Sequence, residues 1–269
     1  MSESEFVKYA VEAGVATITL DSPHNRNALS TKLVKGVHDS LNAAAEDDDA
    51  RVIVLTHTGG TFCAGADLSE ASEVDGQPLD PQKVAQLRTS QMRDLLKAIV
   101  AHPKPVIAQI DGHVRAGGMG LVGACDLAVA GPSCTFALTE AKLGLAPSII
   151  SLTLLPKLSA RAAGRYFLTG EKFDAQEAQR IGLVTTADDD AAASVKALCS
   201  ELVKASPQGL AASKSLTTAA VLAGFDERGE ELAAMSARLF ASEEAREGMI
   251  AFLQRRTPRW AEVAVRSTE

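Results

Sequence analysis

Aromatic side chains are scarce: one Trp, two Tyr and eight Phe stand among 269 residues. With few large rings and abundant alanine, the helices are expected to be rich in small residues and to pack closely. Cysteine is also sparse. Cys63, Cys125, Cys134 and Cys199 show no C-x-x-C spacing, so no metal or redox framework is visible. They read as reduced, mostly buried thiols of a cytoplasmic protein. Basic charge is in deficit, 27 Lys and Arg against 34 Asp and Glu, a net of −7. That argues against nucleic acid as the main partner, which needs a basic surface to displace counterions. It argues equally against an anionic membrane surface. No apolar run approaches the roughly 18 to 20 residues of a membrane-spanning helix. The opening M-S-E-S-E-F lacks the basic and apolar regions of a secretory signal.

What is present is a chain long enough to bury a sizeable core, 46% hydrophobic. Residues 6–10 and 15–20 flank Glu12-Ala13-Gly14 and predict a β-hairpin. Ser30 reads as the N-cap of a helix carrying Leu33, Val34, Val37, Leu41 and Ala45, ended by the acidic run 46–49. Residues 51–57 and 106–110 read as buried strands, 84–100 as a helix and 126–130 as a further strand. Residues from about 69 to 81 are polar with Gly76, Pro78 and Pro81, and predict a mobile loop suited to a lid. Strands therefore alternate with helices from residue 15 to 130, the pattern of parallel βαβ units. Beyond about Pro147 nearly everything reads as helix: 148–158, 160–168, 175–181, 191–205, 207–222, 227–241 and 243–255. The expectation is an α/β core over 1–200 and a helical assembly region over 201–269.

Two small-residue turns follow predicted strands: T-F-C-A-G-A-D-L (61–68) and D-G-H-V-R-A-G-G-M-G-L (111–121), the second opening a helix. Free N–H groups at a helix start point outward and carry partial positive charge. Two such turns could aim two donors at one oxygen, as an oxyanion hole does. Glycine-rich strand-to-helix turns are also common in ordinary α/β proteins. Gly117-Gly118-Met119-Gly120 does not satisfy G-x-G-x-x-G, and no P-loop lysine follows. Ser22 and Ser148 lack adjacent His and Asp partners, so a serine hydrolase is not indicated.

These turns, together with N-R-N-A-L-S (25–30), G-A-C-D-L-A-V-A (123–130), F-A-L-T-E-A-K-L-G-L (136–145), L-T-G-E-K-F-D-A-Q-E-A-Q-R-I-G-L-V (168–184) and E-G-M-I-A-F-L-Q-R-R-T-P-R-W (247–260), resemble the crotonase superfamily of enoyl-CoA hydratases and isomerases. The resemblance runs from about residue 6 to 260. It implies an α/β spiral of stacked ββα/βαβ turns with a C-terminal all-helical region, and a homotrimer or dimer of trimers. It implies acyl-CoA thioesters as substrates, with CoA part of the substrate and neither a separate cofactor nor a metal. By motif position it makes Ala64 N–H and Gly117 N–H the oxyanion donors and Glu140 the acid/base. Arg26, Ala28, Ala66, Asp67, Leu68 and Gly118 become substrate or CoA contacts, and Arg255 or Arg256 could reach a neighbouring subunit's nucleotide.

Hydratases of this family usually hold one water between two glutamates. The first position falls here on Gly120, so the two-glutamate mechanism does not transfer unchanged. Hydratases acting on branched or carboxylated esters resemble this chain in that respect. The leading expectation is an enoyl-CoA hydratase of fatty acid metabolism. A Δ3,Δ2-enoyl-CoA isomerase and a non-catalytic acyl-CoA-binding protein are the alternatives. The apolar neighbours Phe136, Ala137, Leu138 and Leu143 predict a buried Glu140 with a raised pKa. Asp67 reads as a cap for the first turn. His113 reads as a turn histidine bonded to backbone. Arg115 suits either a substrate carboxylate or an inter-subunit or buried ion pair. Cys63 has no paired base and is not expected to be a nucleophile.

Overall fold

A computed structural model describes residues 6–70, 73–74, 77–78 and 80–265. The chain opens with the predicted hairpin, strands β1 (Val7–Glu12) and β2 (Val15–Leu20). Ala13 and Gly14 link them at φ +50° and +84°. Two positive φ values give the turn the twist its strands require. Helix α1 (Thr31–Glu46) starts where Ser30 Oγ accepts Leu33 N–H at 3.2 Å. It buries Leu33, Val37, Leu41 and Ala44 on one face.

Strand β3 (Val52–His57) pairs in parallel with β2. Its Ile53 and Leu55 enter the main core, while Val52 and Val54 face a second apolar cluster. That burial on both faces explains a run with no polar alternation. After β4 (Thr61–Cys63) come a short ribbon, β5 (Glu73–Val74) and β6 (Gln77–Pro78), and helix α2 (Pro81–Ala101). The predicted lid at 69–81 lies partly outside the described residues. Strand β7 (Val106–Ile110), strand β8 (His113–Arg115), helix α3 (Gly117–Ala124), strand β9 (Leu127–Ala130) and strand β10 (Thr135–Ala137) complete the strand-rich part. The remaining elements are α4 (Ser151–Leu154), α5 (Ala160–Thr169), β11 (Phe173–Asp174), α6 (Ala175–Arg180), β12 (Thr186–Ala187), α7 (Ala191–Leu202), α8 (Pro207–Phe240), α9 (Glu243–Leu253) and α10 (Arg259–Val265).

Two sheets result. The larger has the order β1-β2-β3-β7-β9-β12, parallel except for the β1–β2 hairpin. The smaller is β11-β10-β8-β4, with β10, β8 and β4 mutually parallel. Main-core residues come from both sheets and from α1, α2, α3 and α8. All four cysteines are free and buried. No helix among the described residues is long and apolar enough to cross a membrane.

Three sequence expectations change. The helices predicted at 207–222 and 227–241 are one, α8, running through Gly224. An interior glycine costs about 1 kcal/mol. Burial of Phe225 and the Lys97–Asp226 pair across to α2 favour continuity. The helix predicted at 148–158 shrinks to Ser151–Leu154. Ser148 N–H turns back to Ala146 O at 2.8 Å instead, and Ile149 and Ile150 enter the core. Residues 113–115, read as part of a turn, form β8. Three residues are too few to show an alternating pattern.

The helical region is tied to the sheet by a buried ion pair. Lys214 Nζ lies 2.7 Å from Asp126 Oδ2 and also donates to Ile99 O and Lys104 O. Nearby, His102 is buried as a neutral ring: Nδ1 accepts Lys104 N–H at 3.0 Å and Nε2–H donates to Leu41 O at 3.1 Å. Burial, with Lys214 and Lys104 close by, holds its pKa below the ordinary value of 6.5. His57 is similar, with Nε2 accepting Asp111 N–H at 3.0 Å and a pKa lowered by burial. A base with a depressed folded-state pKa contributes stability above its unfolded pKa and loses it as pH falls. These two rings therefore contribute a drop in stability as pH falls below 6.5. In His102→Gln that drop should be shallower, which urea titrations between pH 5 and 8 would measure.

Candidate active site

Three parallel neighbours, β4, β8 and β10, end side by side, and each is followed by a turn at its carboxyl end. In open α/β sheets such ends are where ligands bind. The turns carry Ala64–Leu68, Ala116-Gly117 and Thr139-Glu140. Cys63 pairs with Val114, and Ala137 pairs with Arg115. Ala116 N–H donates to Ala137 O at 3.0 Å, joining the second turn to the third.

The first and second turns touch. Gly65 has φ +91°, and a methyl group there would stand 3.0 Å from Ala116 Cβ and 3.8 Å from Gly117 N. Both the left-handed backbone and the close approach require glycine. Ala116, at φ 47° and ψ −120°, sits in sparsely populated backbone space immediately before α3. Gly117 N–H is the first amide of that helix and has no partner among the described residues. The helix dipole adds positive potential there. Gly118 packs so closely that a Cβ would meet Cys63 Cβ at 2.7 Å. It thereby fixes α3 against the first turn.

The amide expected to be the other donor is already used. Ala64 N–H donates to Arg26 O at 3.2 Å. Leu29 N–H donates to Gly65 O at 2.8 Å and Asp67 N–H to Leu29 O at 3.5 Å. Ala66 N–H is left with no partner among the described residues, on an exposed residue. A free donor of the first turn is thus two residues beyond the one that the motif implied. The motif shows which segment forms the turn; the pairing partner that consumes Ala64 lies 38 residues earlier.

Glu140 opens a one-turn 3-10 helix, Glu140–Leu143. It is 9% exposed. Its Oε2 has no hydrogen-bond partner among the described residues. Burial raises its pKa from 4.5 to about 7, as the apolar context predicted. A carboxyl that ionises near neutrality can both take and give a proton. Helix α9 backs this turn closely: a Cβ at Gly248 would lie 2.5 Å from Leu143 O, and one at Gly144 would lie 2.7 Å from Glu244 C.

At position 120 the glycine leaves no vacant space. A Cβ there would stand 2.9 Å from Ile150 Cβ, with Ile150 Cγ2 closer still and Leu96 Cδ1 at 3.4 Å. Thr153 Oγ1 holds Gly120 O at 3.1 Å.

The other sequence candidates settle variously. Asp67 caps no helix. Its carboxylate accepts Ser69 N–H at 2.9 Å and Asn25 Nδ2–H at 3.0 Å, an Asx turn that closes the first loop. Arg115 forms no buried ion pair among the described residues. It donates to Val114 O, Thr135 O and Thr135 Oγ1, with its pKa lowered by desolvation. His113 is exposed and bonds Thr135 Oγ1 at 3.0 Å rather than backbone. Arg26 is exposed, Ala28 is buried and Leu68 is half-buried, all in or beside the first turn. Cys63 is fully buried with its thiol pushed up to about 12, which leaves no reactive thiolate.

Known proteins are similar to this chain over nearly its whole length. The model of the Enoyl-CoA hydratase/isomerase family matches residues 10–263. A solved enoyl-CoA hydratase from Mycobacterium avium is 59% identical, with 95% of this chain and 99% of that one covered and a TM-score of 0.88. An enoyl-CoA hydratase structure from Shewanella pealeana is 30% identical, covers 96% of each chain and has a TM-score of 0.73. The 2,3-dehydroadipyl-CoA hydratase of Escherichia coli is 33% identical over 251 residues, 91% of this chain and 94% of its own. With the strand-end turns, the buried carboxyl and a match over nearly the whole length, the chain belongs to the enoyl-CoA hydratase/isomerase family.

Proposed function

We propose that this protein is an enoyl-CoA hydratase using one carboxyl group and two backbone amides. Ala66 N–H and Gly117 N–H bind the thioester oxygen and stabilise the enolate that forms on it. Such donors act because they are fixed before charge develops. Glu140, as carboxylate, takes a proton from water while the water oxygen bonds to C3. Collapse of the enolate then takes that proton from Glu140 to C2. The products balance: hydroxyl on C3, hydrogen on C2, and Glu140 returned to its starting state. The CoA moiety arrives on the substrate, and no separate cofactor enters these steps. Arg26, Ala28, Asp67, Leu68 and Gly118 would line the thioester and CoA approach.

The observation that carries this reading is the buried Glu140 carboxyl, its Oε2 unpartnered among the described residues, in the turn after β10, whose parallel neighbours β8 and β4 lead into the turns of the two free amides. The test is a set of 2-enoyl-CoA esters, straight, branched and carboxylated, followed by loss of the conjugated enoyl-thioester absorbance. Loss with wild type and none with Glu140→Gln is the expected result. Unchanged turnover in the variant would falsify the assignment.

One observation favours a second reading. Ile150 fills the space where a side chain at position 120 would project, so a second carboxylate is absent and its place is apolar. Glu140 alone could move a proton from C2 to C4 of a 3-enoyl-CoA, an isomerisation. That reaction would produce the conjugated absorbance rather than remove it. A chain that binds acyl-CoA and does neither would be a binding protein.

We further propose a cytoplasmic homotrimer or dimer of trimers. Leu168, Leu216, Phe252 and Leu253, on α5, α8 and α9, are each at least 60% exposed in the single chain, apolar side chains that association would cover. A monomeric mass by light scattering would sink that proposal.

A further inference from the structure

We propose that Asn27 is a positioning residue that holds the Ala66 amide in its donor geometry. The inference rests on the reading of Ala66 and Gly117 as oxyanion donors.

Asn27 is fully buried and adopts φ +53°. Its carboxamide is completely used. Oδ1 accepts Ser22 N–H at 2.7 Å, and Nδ2 donates to Thr58 O at 3.0 Å and Thr61 O at 2.8 Å. Thr58 and Thr61 bracket Gly59-Gly60, the link between β3 and β4. Gly59 has φ +73°, and nothing lies within 4 Å of a Cβ at Gly60. A Cβ at Gly59 would meet Pro23 Cβ at 3.2 Å, and Gly60 O accepts His113 N–H at 3.1 Å, so packing and the pairing with β8 hold part of this link. The Asn27 side chain adds a grip on a carbonyl at each end of it.

The backbone on either side of Asn27 continues the grip. Arg26 O takes Ala64 N–H, Leu29 N–H gives to Gly65 O, and Leu29 O takes Asp67 N–H. Residues 26–29 thus lie along 64–67 as a template that engages these groups and spares the Ala66 amide. The carboxamide sets where that template meets β4. A shift of about 1 Å in a catalytic group can cost about a hundredfold in rate. Asn27 need never touch substrate to have that effect.

The test uses a 2,4-dienoyl-CoA, whose absorbance moves to the red when donors polarise its thioester carbonyl. Asn27→Asp keeps size and tolerance of positive φ but sets a carboxylate against two carbonyl oxygens. Asn27→Gly keeps the backbone freedom and removes the grip. Both should bind the probe with Kd within about threefold of wild type and lose most of the red shift. Both should show kcat lower by about tenfold to a hundredfold with KM little changed. A purely structural residue would lower the melting temperature and the folded fraction, while each folded molecule kept its spectrum and kcat. Folded variants with the full shift and full kcat overturn the proposal. If neither folds, Asn27→Ser, which keeps one hydroxyl donor, is read by the same two measurements, and a full shift there overturns it equally. A wild type that binds the probe without any shift refutes the two-amide reading itself, a separate failure.

Discussion

Glu140→Gln should lower kcat by about 10² to 10⁴-fold, the range for loss of a positioned acid/base. Binding of saturated acyl-CoA should stay within a few-fold, because the amide donors and the CoA approach are untouched. On the proposed mechanism the hydration step needs the carboxylate. Activity should therefore fall as pH drops through about 7, where burial places the Glu140 pKa. The inflection in kcat/KM should vanish with the residual activity of Glu140→Gln. Stability should move the other way. A carboxyl whose folded pKa lies above its unfolded value of 4.5 stabilises the protonated fold and costs stability as pH rises through that window. Removing the charge should then raise stability above pH 7 by about 3 kcal/mol. A variant that is inactive yet more stable at pH 8 would show that the carboxyl serves chemistry at the expense of the fold. A variant that is inactive and less stable would show that Glu140 is merely structural.

Gly120→Glu is the second large effect, and it should fail. Restoring a carboxylate at that position drives a side chain into Ile150 and Leu96. Overpacking and burial of an unpaired charge together should cost about 3 kcal/mol or more. Hydration should not increase in the single variant. Ile150→Ala removes the branched side chain that a Cβ at position 120 would strike. The double variant should therefore recover more stability than the two single changes predict by addition, because the residues share one space. Chemical denaturation of the four proteins measures the coupling. Simple additivity would show that Ile150 does not occupy the volume in question.

Much of this was legible in the sequence, though unevenly. The hairpin, the Ser30 cap, β3, β7 and Gly117 at the head of α3 follow from local rules of turn, cap and periodicity. Burial of Glu140 was readable from its apolar neighbours. The exchange of Ala64 for Ala66 was not, because it turns on a hydrogen bond to Arg26 O from a distant loop. Likewise Gly120 announces a missing carboxylate, but the sequence does not show that Ile150 fills the space thirty residues later. A buried ion pair within the chain was one expectation for Arg115. It donates instead to Thr135 and its own strand, whose oxygens supply hydrogen bonds but no opposite charge, so desolvation lowers its pKa. Local signals fixed which segments form the site; long-range packing decided which atoms in them are free.

The contact between α9 and the Glu140 turn bears on synthesis. The strand ends that carry both amides are complete once Ala137 has been made. The turn that holds the acid/base is backed by residues 244–248, more than a hundred positions later. A nascent chain therefore holds the segments of both amides long before it holds the residues that back Glu140. On this view the enzyme would become active only near the end of its own translation, when its last helices close behind the carboxyl.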